Sequence, residues 1–431
     1  LLSTLKNFSQ EKSPAKFGKV APEDFAISAN AYDSSASALI LADIGSTQFI
    51  GNSNGWFSLV YKRFRRVKIV NNKGYDVANV EIPLYSSTNN NGEEKLNSLK
   101  AVTYNLENGQ VIETKMDTKS SLFEDKIDKH WVEKKFTFPN IKPGSIIEYQ
   151  YEINSDFLFN LQPWTFQDMY PTLWSEYTVS MPEFFGYLTL TQGYQPYYIN
   201  TSKNTSEQYR ISESGGTGPT ERFTINANET EYRWVMKDVP ALKPESFTST
   251  IKNHMSRIEF QLSEYKSPLT PRSFMPTWTK TAADLLQSED FGYTLSKDNG
   301  WLNDVMDEAI NHASSELDKA KNIYAYVRDH FTCTNHGNKY LEKPLKQTLK
   351  SHNGNEAEIN LLLTAMLKKA GLMADPVLLS TRSHGYVYAM YPLLERFNYV
   401  ISRVQVGNDY YFLDASWPVL GFNRLDPNVY N

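Results

Sequence analysis

The chain has 431 residues, with 44 basic against 49 acidic side chains for a net charge of −5, and a single cysteine. Such a length exceeds one compact core and predicts two or three domains. Near-balanced charge without a long block of one sign gives no nucleic-acid partner, and one cysteine excludes an internal disulfide or a cysteine-rich metal site.

No cofactor and no metal are called for. No window approaches the roughly 20 consecutive apolar residues that cross a bilayer, so no transmembrane segment is expected. Residues 1–32 are polar, contain Pro14 and Pro22, and show little periodicity, which predicts an N-terminal extension that wraps the surface or frays. The chain begins with Leu1 rather than Met, and the expectation drawn from this is an exported protein, periplasmic or extracellular, whose signal or tag was removed.

From Ala36 the texture changes to short strand-like runs at 38–42, 67–70, 78–82 and 99–104, punctuated by turn signals at Asn72-Lys73-Gly74 and Glu107-Asn108-Gly109. Arg63, Arg65, Arg66 and Lys68 alternate with Phe64, Val67 and Ile69, and are read as the wet face of a strand rather than as an anion-binding patch. After a run at 131–138, residues 146–153 alternate fully, with Ile147, Tyr149, Tyr151 and Ile153 on one face and Glu148, Gln150 and Glu152 on the other. Further strands are expected at 175–181, 186–191, 222–225 and 231–236. Residues 33–245 thus read as a large antiparallel β-sandwich with no catalytic cluster. Asn200, Asn204 and Asn228 stand in Asn-x-Ser/Thr triplets, a pattern too common by chance to inform.

Residues 246–270 are read as a linker with one more strand-like run at 257–262, and residues 271–431 as an α+β domain. After Pro271 and Pro276 the period becomes helical, at 278–287, 302–313 and 317–331. Next come a turn, an apolar helix from Glu356 to a stop at Gly371, and strands at 374–380, 397–406 and 409–414, the last two joined at Gly407-Asn408. Asn353, three residues before Glu356, has capping-box spacing, so a purely structural role for Glu356 is one reading.

A helix N-terminus at Glu356, a strand opening Phe397-Asn398-Tyr399 and a strand ending Leu413-Asp414-Ala415 stand in the order that resembles the bacterial transglutaminase-like superfamily, a papain-like fold. Arg66-Val67-Lys68-Ile69, Gly144-Ser145-Ile146-Ile147-Glu148-Tyr149 and Trp164-Thr165-Phe166-Gln167 resemble the β-rich domain of unknown function that commonly precedes it. The resemblance implies a Cys-His-Asp triad, with Glu356 in the place of the cysteine, Tyr399 in that of the histidine, and Asp414 retained. It therefore implies the fold without the activity: a catalytically degenerate protein binding a peptide, glycan or protein partner at the cell envelope. Besides the three triad positions, Trp417 is a candidate aromatic wall, and His384 either lines the cleft or sits in a surface loop. The alternative is an active protease or amidase using a relocated nucleophile, for which Cys333 and His336, three apart, are the candidates. A carboxylate pair, Glu356 with Asp414, is weighed against a closed network in which Tyr399 donates to either one. A further C-terminal domain beyond Asn431 is also expected to be possible in the full gene product.

Overall fold

Alternation of apolar and polar side chains over long extended runs sets the first half of the molecule. The computed structural model describes residues 11–87, 92–127, 130–214, 220–245, 250–275 and 277–430; residues 1–10 of the extension, 246–249 of the linker, and Pro276 lie outside these. The chain divides into two units, Leu1–Pro244 with His254–Phe274, and Glu245–Asn253 with Met275–Asn431. The stretch read as a linker is therefore shared, and its strand-like run pairs within the first unit.

In the first unit the strands are β1 Ala38–Gly51, β2 Phe57–Ile69, β3 Asn79–Tyr85, β4 Lys95–Glu107, β5 Gln110–Lys115, β6 Phe123–Lys126, β7 Trp131–Thr137, β8 Ile146–Ser155, β9 Trp164–Thr165, β10 Thr172–Pro182, β11 Phe185–Gln192, β12 Ile199–Ser214, β13 Thr220–Val239, β14 Arg257–Tyr265 and β15 Arg272–Ser273. An eight-stranded sheet has the order β12-β13-β10-β1-β2-β8-β4-β5; β11, β14, β15 and β9 form a second sheet, and β3-β7-β6 a third. Pairing is antiparallel except between β1 and β10. One face of the large sheet, through Ile40, Leu59, Ile147 and Tyr177, shares a core with Ile82, Phe136, Phe185 and Ile258 of the smaller sheets. Trp164 stacks on Tyr177 at 5.1 Å, and only a glycine at position 45 leaves room for that indole, since a Cβ there would come within 2.2 Å of it.

The other face of the large sheet is apolar as well, and the described part of the N-terminal extension covers it: Phe17, Val20, Phe25 and Ile27 pack against Leu39, Leu41, Tyr104 and Ile146. Arg66 and Lys68 of the basic cluster fasten this cover and Arg63 and Arg65 are paired with acids, so the cluster's reading as a wet face is corrected. Arg66 is buried between Glu148, at 2.5 Å, and the carbonyls of Lys16 and Lys19, while Lys68 donates to the carbonyls of Phe25 and Ile27. Arg63 and Arg65 pair with Asp43 and Asp168 at 2.7 Å. These four cations look solvated in sequence because their partners come from other segments: Asp43 on β1, Glu148 on β8, Asp168, and main-chain carbonyls of the extension.

The second unit comprises α1 Trp278–Gln287, α2 Asn303–Ala309, α3 Glu316–His330, β16 Thr332–Cys333, α4 Leu345–Ser351, β17 Asn353–Gly354, α5 Glu356–Lys369, β18 Met373–Leu379, β19 Tyr399–Val406 and β20 Asp409–Leu413. The helix expected at 302–313 is shorter, ending where Ile310 leaves helical geometry. α5 is buried from Glu356 to Leu367 on every side, lying between β19 and β18 and the helices α3 and α4. A helix apolar all round needs partners all round. It stops as expected, with Gly371 at φ +82°.

Candidate functional site

α5 opens with a reciprocal cap placed two residues later than its sequence spacing suggested. Asn355 is the N-cap: its side chain accepts from the Glu358 amide at 2.8 Å, and Glu358 Oε2 accepts from the Asn355 amide at 3.0 Å. Asn353 and Gly354 are instead used by β17 in a short parallel pairing with Thr332 and Cys333. Glu356 is thereby released from capping, which corrects the capping role read for it but leaves it a structural one.

The carboxylate of Glu356 is fully buried and accepts from two backbone amides outside its own helix, Asn338 at 2.9 Å and Val400 at 3.1 Å. Its own amide donates to the Asn335 carbonyl at 3.0 Å. One side chain thus ties the 335–338 loop and β19 to the start of α5. Burial pushes its pKa well above the ordinary carboxyl range, the two amides pulling the other way and Asp414 adding to the rise.

Tyr399 donates to Asp414 Oδ2 at 2.9 Å, accepts from Trp417 Nε1 at 3.0 Å and lies 3.1 Å from the Ser416 hydroxyl. Asp414 Oδ1 accepts from Asn360 Nδ2 at 2.9 Å and from the amide and hydroxyl of Ser416 at 3.0 and 2.6 Å. Asn360 also donates to the Val400 carbonyl and accepts from the Ala415 amide, both at 2.9 Å. This asparagine was missed in sequence, although a lone amide four residues after Glu356 in an otherwise apolar helix was its signal. Burial, with Asp414 beside it, pushes the Tyr399 phenol far above its ordinary value. The closed Glu-Tyr-Asp network splits in two: among the described residues no side-chain hydrogen bond joins Glu356 to Tyr399 or Asp414.

Cys333 is nearer to this centre than its position in the chain suggests. Its partner in β17 is Gly354, two residues before α5, and its Sγ lies 3.7 Å from His336 Nδ1 and 3.3 Å from the Asn335 carbonyl. Burial pushes the thiol up to about 12, the Asn335 contact opposing and the charges of Glu356 and Asp414 adding. Burial lowers the His336 imidazole, against Asp414 and Asp426. The His336 ring lies face to face on Trp417 at 4.0 Å and 12°, so the two rings and the sulfur adjoin Tyr399. His384 keeps apart from this group, its Nε2 being 2.8 Å from the Glu395 carbonyl. Among the described residues no cluster of three or more His, Cys, Asp or Glu could hold a metal ion, and no helix is long and apolar enough to cross a membrane.

Family models match two parts of the chain, a domain of unknown function with a solved structure (DUF3857) at residues 57–243 and the transglutaminase-like superfamily at residues 303–417. No curated protein matches. Among solved structures, a "putative protease" from Parabacteroides distasonis superposes with a TM-score of 0.57 at 14% identity, covering 88% of this chain and 67% of that one. An M1 zinc metallopeptidase from Deinococcus radiodurans reaches a TM-score of only 0.22 at 10% identity, covering 60% and 54%. At 14% identity the likeness to the first is one of fold. The chain is a DUF3857 domain followed by a domain of the transglutaminase-like superfamily.

Proposed function

We propose that the transglutaminase-like domain is catalytically degenerate and binds a peptide, glycan or partner protein without cutting or crosslinking it. Trp417 and the His336 stacked on it form the wall of the proposed site, with Glu356, Tyr399 and Asp414 behind them and His384 as an outlying candidate. The observation that carries this reading is the bonding of Glu356. Acyl transfer at a helix N-terminus needs a free nucleophile and a base beside it. Both oxygens of Glu356 are engaged by backbone amides, and the group beside Asp414 is a phenol whose raised pKa makes it a poor proton carrier at neutral pH. The proposed setting, the periplasm or the cell surface, is tested by cell fractionation.

A second reading rests on the 3.7 Å approach of Cys333 to His336, which could make a relocated nucleophile. The electrostatics oppose it. A working pair needs sulfur deprotonated and imidazole protonated, whereas burial moves the thiol up and the imidazole down, keeping both neutral. The test is hydrolysis of peptide amides and incorporation of an amine into glutamine peptides, alongside calorimetric titration with peptides and oligosaccharides. No turnover, with binding that weakens in Trp417→Ala, is the expected result. Turnover abolished by Cys333→Ala supports the second reading, and turnover abolished by Glu356→Ala but kept in Cys333→Ala refutes both.

A further inference from the structure

Strand β12 is the outer edge of the eight-stranded sheet, and among the described residues that edge is paired only near its end. The Ser212 amide donates to the Asn52 carbonyl at 3.0 Å and the Gly55 amide to the Ser212 carbonyl at 2.9 Å. Among the described residues no strand pairs with the outer side of 201–209. Most side chains of this segment are exposed, while Tyr209 and Ile211 are buried in the first unit and fix its register. An edge this long presents a row of main-chain donors and acceptors ready to pair with another strand, and natural edges are usually blunted by charge. Here the charges are Lys203 and Glu207. Among the described residues neither forms an ion pair within 4 Å, and Lys203 stands opposite Glu231 of β13 without reaching it.

The spacing of these two charges names the partner. If the segment meets its own copy antiparallel about a two-fold axis at Thr205, Lys203 of each copy faces Glu207 of the other, Thr201 faces Tyr209, and Asn204 faces Ser206. The same charges that repel a foreign strand of either sign thus become two attractive pairs in one register, as an isologous interface requires. We infer that the β12 edges of two copies of this chain pair antiparallel about Thr205, joining their large sheets into one continuous sheet across the dimer. This surface is independent of the binding site proposed above.

The experiment is sedimentation of the full chain over a concentration series. Wild type is expected to dimerise, and Glu207→Lys and Lys203→Glu, which set like charges opposite each other twice, are each expected to weaken the dimer by about tenfold or more. Mixing the two variants, or combining both changes in one chain as Lys203→Glu/Glu207→Lys, restores opposite charges and is expected to restore the dimer. That rescue also shows the single variants to be folded. A wild-type chain that stays monomeric at its highest soluble concentration, or a dimer indifferent to Glu207→Lys, overturns the inference.

Discussion

Tyr399 holds Asp414 by a hydrogen bond of 2.9 Å, with the Asp414 carboxylate wholly removed from solvent. The bond belongs to a set in which each member supports another, because the same phenol oxygen accepts from Trp417 Nε1. Tyr399→Phe removes both roles and leaves one donor and one acceptor short of a partner. Such losses cost about 1–3 kcal/mol when the orphaned groups are buried. Urea unfolding of the second unit should show a loss of that size, and a change within error would mean that Ser416 and Asn360 suffice to hold Asp414.

Glu356→Gln tests whether the buried carboxyl is held for its shape or for its charge. The folded-state pKa of Glu356 is raised above the ordinary 4.5, so the folded protein holds its proton where the unfolded chain has released it. Stability from this group is therefore fully present below about 4.5 and falls as pH rises toward the folded-state value. Glutamine does not titrate. The stability of wild type relative to Glu356→Gln should accordingly decline as pH rises from about 4.5 toward the raised folded-state value. An advantage that instead grows with pH would show that the amides of Asn338 and Val400 outweigh burial.

What the sequence revealed and what it hid follow from how local each signal is. The full alternation at 146–153 became β8, the apolar run from Ile359 became α5, and the triad positions Tyr399 and Asp414 meet as their order implied. β12 went unseen because residues 200–208 carry almost no apolar side chains, and the strand is held by its ladder to β13 rather than by a hydrophobic face. Arg66 was misread since Glu148, its counter-charge, is distant in sequence and adjacent only through the β2–β8 pairing. Likewise, the β16–β17 pairing that brings Cys333 to the mouth of α5 spans two residues per strand, too short to leave a pattern.

Cys333 should be a sluggish thiol. Its pKa, pushed up to about 12 chiefly by burial, leaves little thiolate at neutral pH, and thiolate is the form that alkylates. Iodoacetamide should modify the folded chain at least about tenfold more slowly than the same chain unfolded in urea. Comparable rates would mean that His336 draws the proton from sulfur, which is the condition the relocated-nucleophile reading needs.

Two asparagines at the start of α5 separate the cap from its neighbour. Asn355→Ala removes both the acceptor for the Glu358 amide and a donor to the Tyr340 carbonyl, and loss of an N-cap costs about 1 kcal/mol, with up to about 2 expected where the cap is buried. Asn353→Ala loses contacts to Lys343 and Ser351 near the surface and should stay within about 0.5 kcal/mol of wild type. Thermal unfolding of the pair reads this directly, and the reverse order of effects would return the cap to Asn353.

Arg66 and Glu148 make the sharpest test of how the N-terminal segment is held. Arg66→Met leaves Glu148, among the described residues, with the Gly18 amide and the Tyr104 hydroxyl as its hydrogen-bond donors around a buried charge, and breaking one side of a buried pair costs about 3–5 kcal/mol. It also frees the carbonyls of Lys16 and Lys19, so limited proteolysis within 16–27 should accelerate with the loss of stability. Replacing both partners removes the stranded charge. Arg66→Met/Glu148→Gln should therefore be more stable than Arg66→Met alone, while the segment stays open to protease because its carbonyl anchors are still gone. If the double variant regained protection along with stability, the apolar contacts of Phe17, Val20 and Phe25, and not the guanidinium, would be what holds the cover in place.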